Sequence, residues 1–136
     1  MKKFIAILCC LISLFSITTH AALPPNDETI ISPLWDNIRS MSTTITQATS
    51  SSAIANGIAR KQTSATSIEG TLTVYALING EWIFVEETQK SVTSGSLSVS
   101  LEFNVQRGIT YKSVFEVIAY NGNTPEYASC EFEKIF

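Results

Sequence analysis

The sequence predicts an all-β fold, an antiparallel sandwich of seven strands, and three observations carry the prediction. After residue 36, runs rich in Ser, Thr and β-branched residues alternate apolar and polar with a period of two, as half-buried strands do. Turn signals, above all Asn79-Gly80 and Asn121-Gly122, divide that stretch into seven segments, spaced roughly 8 to 14 residues per strand. No segment beyond the N-terminal apolar run has helical periodicity.

The N-terminus has the three-part layout of an export signal over residues 1–22. Lys2 and Lys3 are the positive region, Phe4 to Ile17 the apolar region, and Thr19-His20-Ala21 or His20-Ala21-Ala22 a small-residue cleavage site. The apolar run falls short of the about 20 residues of a membrane span. Cys9 and Cys10 lie inside it behind bulky neighbours, which argues against a lipoprotein site. The expectation is a secreted, extracellular protein without a membrane span in the mature chain. Residues 23–36 read as an extended arm, blocked from regular structure by Pro24, Pro25 and Pro33 and pinned through Leu34 and Trp35. The β-sandwich domain takes residues 37–136.

The first strand, from about Ile38 to Gln47, carries Met41, Thr43 and Ile45 on one face. A loop at Ser50 to Ser52 leads to the second, about Ala53 to Lys61, whose Ala53, Ala55, Gly57 and Ala59 mark a close-packed side. The third and fourth flank Asn79-Gly80, the preferred pair for a two-residue type I′ hairpin. That turn sets Ile78 opposite Glu81, Leu77 opposite Trp82, Ala76 opposite Ile83, Tyr75 opposite Phe84 and Val74 opposite Val85. The fifth, Leu97 to Val105, points Leu97, Val99, Leu101, Phe103 and Val105 inward. The sixth, Tyr111 to Tyr120, and the seventh, Pro125 to Phe136, are joined by Asn121-Gly122 with Asn123 and Thr124 lengthening the loop.

At the junction of the fifth and sixth strands, Val105, Gly108 and Tyr111, followed by Phe115, Val117 and Ala119, resemble the tyrosine corner of fibronectin type III domains. The resemblance implies an immunoglobulin/fibronectin-like sandwich in which the Tyr111 hydroxyl bonds back to the turn backbone. Arg107 stands where that family usually has proline, and its early-strand tryptophan is missing. The chain from about Asn37 to Glu126 also resembles uncharacterised small secreted proteins of Gram-positive bacteria. The shared features are the Ser/Thr-rich first strand, Gly70-Thr71-Leu72-Thr73-Val74-Tyr75, Trp82, and the Gly-x-x-Tyr-Lys segment at Gly108 to Lys112. That resemblance implies a compartment and a fold, and no activity.

Composition disfavours most chemistry. Removing residues 1–22 leaves seven basic residues against twelve acidic ones, a net charge near −5, which argues against nucleic acid. It also removes His20, the only histidine, so a Ser or Cys nucleophile has no imidazole base. Cys130 is the single remaining cysteine. It is either buried in alternation with Ala128 and Phe132 or paired between chains. Zinc and similar metals lack their ligands, and Asn26-Asp27-Glu28 lacks the turn glycine and further oxygens of a calcium loop. Glu86 and Glu87 face opposite ways on one strand and cannot act as a glycosidase pair; Glu86 with Glu116 from another strand stays open. No cofactor is expected.

The hairpin register points to a site of another kind. Leu72, Val74, Ala76, Ile83 and Val85 make one apolar face, enough to be the core side. The other face presents Tyr75, Leu77, Trp82 and Phe84, joined by Val114, Ile118 and Tyr120 if the sixth strand lies beside the third. Contiguous apolar patches beyond a few hundred Å² are seldom left bare. The arm or a loop, a second copy, or an external protein or glycan at the cell surface would cover this one, unless a bulge flips the face assignment. The expectation is a non-catalytic binding or surface-interaction module. Its rivals are a self-assembling matrix protein, joined through strand edges, the arm and Cys130, and a small carbohydrate-active enzyme.

Overall fold

The computed structural model of the chain describes residues 35–136; the expected signal, residues 1–22, and residues 23–34 of the arm lie outside the described residues. The strands are β1 (Ile38–Gln47), β2 (Ser52–Lys61), β3 (Ser67–Ile78), β4 (Glu81–Val92), β5 (Ser96–Asn104), β6 (Thr110–Asn121) and β7 (Thr124–Ile135). They form two antiparallel sheets, β1-β2-β5 and β4-β3-β6-β7, which enclose one core. The fold is a seven-stranded antiparallel β-sandwich. Among the described residues no helix is long and apolar enough to cross a membrane.

Alternation decides which side chains fill the core. Met41, Ile45, Leu97, Val99, Leu101 and Phe103 enter from the smaller sheet, and Ile68, Leu72, Val74, Phe115 and Val117 from the larger. Phe115 is fully buried, and glycines make room for its ring. A Cβ at Gly57 would lie 2.6 Å from Phe115 Cδ2, and one at Gly70 2.7 Å from Phe115 Cε2. The small residues of β2 thus let the sheets approach around one large ring.

Two polar links tie β1 to the larger sheet. Thr43 Oγ1 donates to Ser113 Oγ at 2.9 Å inside the core. The Glu126 carboxylate accepts the backbone N–H groups of Asp36, Asn37 and Ile38 at 2.8 to 2.9 Å, anchoring the start of β1 to β7.

The turns follow their residues, with one departure. Asn79 and Gly80 have φ of 54° and 84°, the double left-handed backbone of a type I′ turn. At the other Asn-Gly pair, Asn121 itself pairs with Thr124. The expected longer loop is therefore a two-residue turn, Gly122-Asn123, with Gly122 at φ 60° taking the first central position of a type II′ turn. At the β5–β6 crossover Gly108 has φ 83°, and the N–H of Gln106 donates to the Tyr111 hydroxyl oxygen at 3.0 Å. That bond is the tyrosine corner expected from Val105, Gly108 and Tyr111.

The register of β3 with β4 is as expected from Ile78↔Glu81 through Tyr75↔Phe84 and then slips. Val74 pairs with Glu86, not Val85, because a β-bulge inserts Val85 between two ladder positions. Val85 still reaches the core in part. Ile83 stands opposite the buried Ala76, yet β4 is an edge strand, and Ile83 remains largely exposed.

Candidate functional site

Antiparallel register assigns every side chain of the larger sheet to a face and to a row across the strands. β6 lies beside β3, so the outer face can be read row by row. Trp82 and Leu77 form the first row at the hairpin end. Phe84, Tyr75 and Lys112 form the next, with Glu133 beyond. Then come Glu87, Thr73, Val114 and Glu131, and after them Gln89, Thr71, Glu116 and Ser129. Glu69, Ile118 and Tyr127 follow, and Tyr120 with Pro125 closes the far end.

Four of the five expected binding residues therefore meet: Trp82, Phe84, Tyr75 and Leu77. Tyr120 does not join them. It pairs with Ser67, ten residues along β3 from Leu77, which is about 33 Å at the rise of a strand. Its face is the expected one and its row is at the opposite end. Its diagonal neighbour across the β6–β7 ladder is Tyr127, which the sequence reading passed over.

The hairpin end is a small apolar headland. Phe84 is 59% exposed and meets Tyr75 edge to face, with ring centroids 6.4 Å apart. Ile78 and Ile83, on the opposite side of the same hairpin, are also exposed, so apolar surface wraps around the tip. Trp82 is half-buried, and Lys112 Nζ lies 4.1 Å from its ring centroid. The same ammonium is 3.6 Å from Glu131 and 3.5 Å from Glu133. Lys112, which the sequence reading did not include, thus caps the tryptophan and ties it to β7. A lysine two residues from β-branched Val114 on a two-sided strand gave no signal of that role.

Charge on this face is one-sided. Glu69, Glu87, Glu116, Glu131 and Glu133 share it with one lysine, and Glu81 sits at the hairpin tip. Thr73 Oγ1 donates to Glu87 at 3.0 Å, which holds that carboxylate against the sheet.

The arm does not cover the headland where it is described. Trp35 packs against the core, and its neighbour Asp36 is held by Glu126 near the β6–β7 turn, the end of the sandwich away from Trp82. Leu34 lies outside the described residues. Glu86 pairs with Val74 on the inward side, whereas Glu116 pairs with Thr71 on the outer face, so these two carboxylates are not brought together. Cys130 is half-buried opposite Phe115, and burial pushes its thiol from 9.0 up to about 11. It is a poor nucleophile there. Among the described residues no group of three metal-ligating side chains gathers.

No protein family matches this chain, and no curated protein does. Among solved structures it is similar to an Archaeoglobus fulgidus protein whose structure is described as "Crystal structure of protein from Archaeoglobus fulgidus". The two are 14% identical, with 71% of this chain and 94% of that chain covered, at a TM-score of 0.37. A likeness at that level says nothing of function, which rests on this chain's own surface.

Proposed function

We propose that the protein is a secreted, non-catalytic docking module that binds another protein through the Trp82, Phe84, Tyr75 and Leu77 end of its larger sheet. One observation carries this reading: exposed apolar side chains wrap both sides of the β3–β4 hairpin, with Phe84 outermost. Apolar aromatic centres with polar rims are how protein interfaces are built. The rim favours a basic partner, because Glu81, Glu87, Glu131 and Glu133 surround the patch and its one lysine is already engaged. A second copy would bring two acidic rims face to face. Export rests on the layout of residues 1–22 and on the resemblance to secreted proteins.

The sandwich itself we place with the fibronectin type III kind. In support, β4 pairs with β3 and not with β5, whereas the fourth strand of a constant-type immunoglobulin domain joins the sheet of the fifth. The tyrosine corner at Tyr111 points the same way.

Self-assembly has its own observation in its favour. β1 is an edge strand whose one charge is Arg39 near its start, and from Ser40 to Gln47 it carries none, so most of that edge lacks the charges that keep edges from pairing. Sedimentation velocity across a wide concentration range tests the two readings. The docking reading expects a monomer throughout for wild type and Phe84→Ser alike. An oligomer that Phe84→Ser dissolves would make the patch an assembly surface, and one that Phe84→Ser leaves intact would favour assembly through the β1 edge.

A further inference from the structure

The far end of the outer face holds a second feature, independent of the docking patch. A groove of about 440 Å³ runs between β3, β6 and β7, lined among others by Glu69, Thr71, Glu116, Ile118, Tyr127 and Ser129. Its volume falls in the range of small-ligand sites, about 300 to 1,000 Å³. Six residues along β3, roughly 20 Å, separate its centre from that of the Trp82 patch, and the two share no residue.

We infer that this groove is a binding site for a neutral glycan, with Tyr127 as its stacking platform. Tyr127 is 68% exposed, the barest of the large apolar side chains on this face. The negative face of an aromatic ring attracts polarised C–H groups, and one face of a pyranose ring presents a row of them. Around the ring stand the hydrogen-bonding groups that sugar hydroxyls need. The Gln89 side-chain amide donates to one oxygen of Glu69 and so orients that carboxylate, leaving its second oxygen free to accept. Glu116, Thr71 and Ser129 make no side-chain hydrogen bond or ion pair among the described residues.

The chemistry of the lining selects within ligand classes. Two carboxylates repel an acidic sugar. A lone cation would use Glu69 and Glu116 but leave the hydroxyl groups of Thr71 and Ser129 without a role, whereas a polyol engages acceptors and donors together. A protein partner needs a wider apolar centre than Tyr127 and the half-buried Ile118 supply in this lining.

An NMR titration of the protein with maltohexaose, cellohexaose and hexa-N-acetylchitohexaose tests the inference. One of the three is expected to shift the amide signals of Thr71, Glu116, Tyr127 and Ser129 with a dissociation constant below about 1 mM. Tyr127→Ala should weaken that binding at least about tenfold, a loss of about 1.4 kcal/mol. Tyr127→Phe, which keeps the ring, should stay within about threefold of wild type, and Phe84→Ser should bind as wild type does. The ring is exposed, so these variants should keep the wild-type methyl spectrum. The inference is overturned if none of the three sugars shifts the groove, if Tyr127→Ala binds as wild type does, or if hexalysine shifts these signals and the sugars do not. Loss of the groove leaves the Phe84 patch untouched, so either can fail alone.

Discussion

Thr43 on β1 donates a 2.9 Å hydrogen bond to Ser113 on β6, joining the two sheets through the middle of the core. Ser113 Oγ in turn lies 3.5 Å from the Phe132 carbonyl oxygen, on which it can donate. A buried polar pair is stabilising only while both members are present. Ser113→Ala should therefore cost about 1 to 3 kcal/mol by stranding the Thr43 hydroxyl. The double replacement Thr43→Val with Ser113→Ala should cost less than the two single changes added together. A double-mutant cycle by chemical denaturation measures the coupling, and strict additivity would show that the bond does not hold the sheets.

Phe115 leaves no room at Gly57. With a Cβ there 2.6 Å from a fully buried ring, Gly57→Ala must push the ring or the sheets apart. The expected loss is about 1 to 3 kcal/mol of unfolding free energy, the usual penalty of overpacking. An unchanged denaturation midpoint would mean that the sheets part freely at this point.

The tyrosine corner offers a more selective test. Tyr111 packs tilted on Phe103, with centroids 5.4 Å apart, and edge to face on Phe136 at 5.8 Å. Tyr111→Phe keeps both contacts and removes only the acceptor of the Gln106 N–H. The loss should be about 1 kcal/mol, with faster amide exchange at Gln106. Protection at Gln106 equal to wild type would sink the assignment.

Cys130 ties stability to alkaline pH. Burial favours its neutral thiol, raising its value from 9.0 to about 11. A group whose folded value is raised contributes stability that is whole below the unfolded value and is lost as the pH climbs through the folded one. Stability should thus fall between about pH 9 and 11, and Cys130→Ala should flatten that fall. At pH 8 the thiol should also react with a disulfide reagent far more slowly than a free cysteine. Labelling at the free-thiol rate would contradict its burial.

What the sequence revealed and what it hid divide along physical lines. Asn79-Gly80 set the register of the first four pairs of the hairpin, because a two-residue turn leaves the strands no other alignment. The bulge at Val85 left no mark, since an inserted residue among β-formers looks like any other. Period-two alternation placed Tyr120 on the right face and at the wrong end, because alternation reports which side a residue takes and not which row. Tyr127 escaped notice for the complementary reason: without the β6–β7 register, an isolated tyrosine among glutamates has no neighbours. The Thr43–Ser113 bond was equally hidden, as two inward polar residues on distant strands reveal a bond only once the sheets face each other.

Phe84 and Ile58 make the most direct test of the docking account, since both are exposed and they lie on opposite sheets. A photoreactive benzoylphenylalanine would replace Phe84 in one sample and Ile58 in the other, with irradiation on the cells that produce the protein. The account expects a cross-link to a basic protein from position 84, absent from position 58 and weakened by added salt as rim charges are screened. Equal cross-linking from both positions, or none from position 84, would contradict it, and a cross-link from position 84 to a second copy of the chain would replace it with self-assembly.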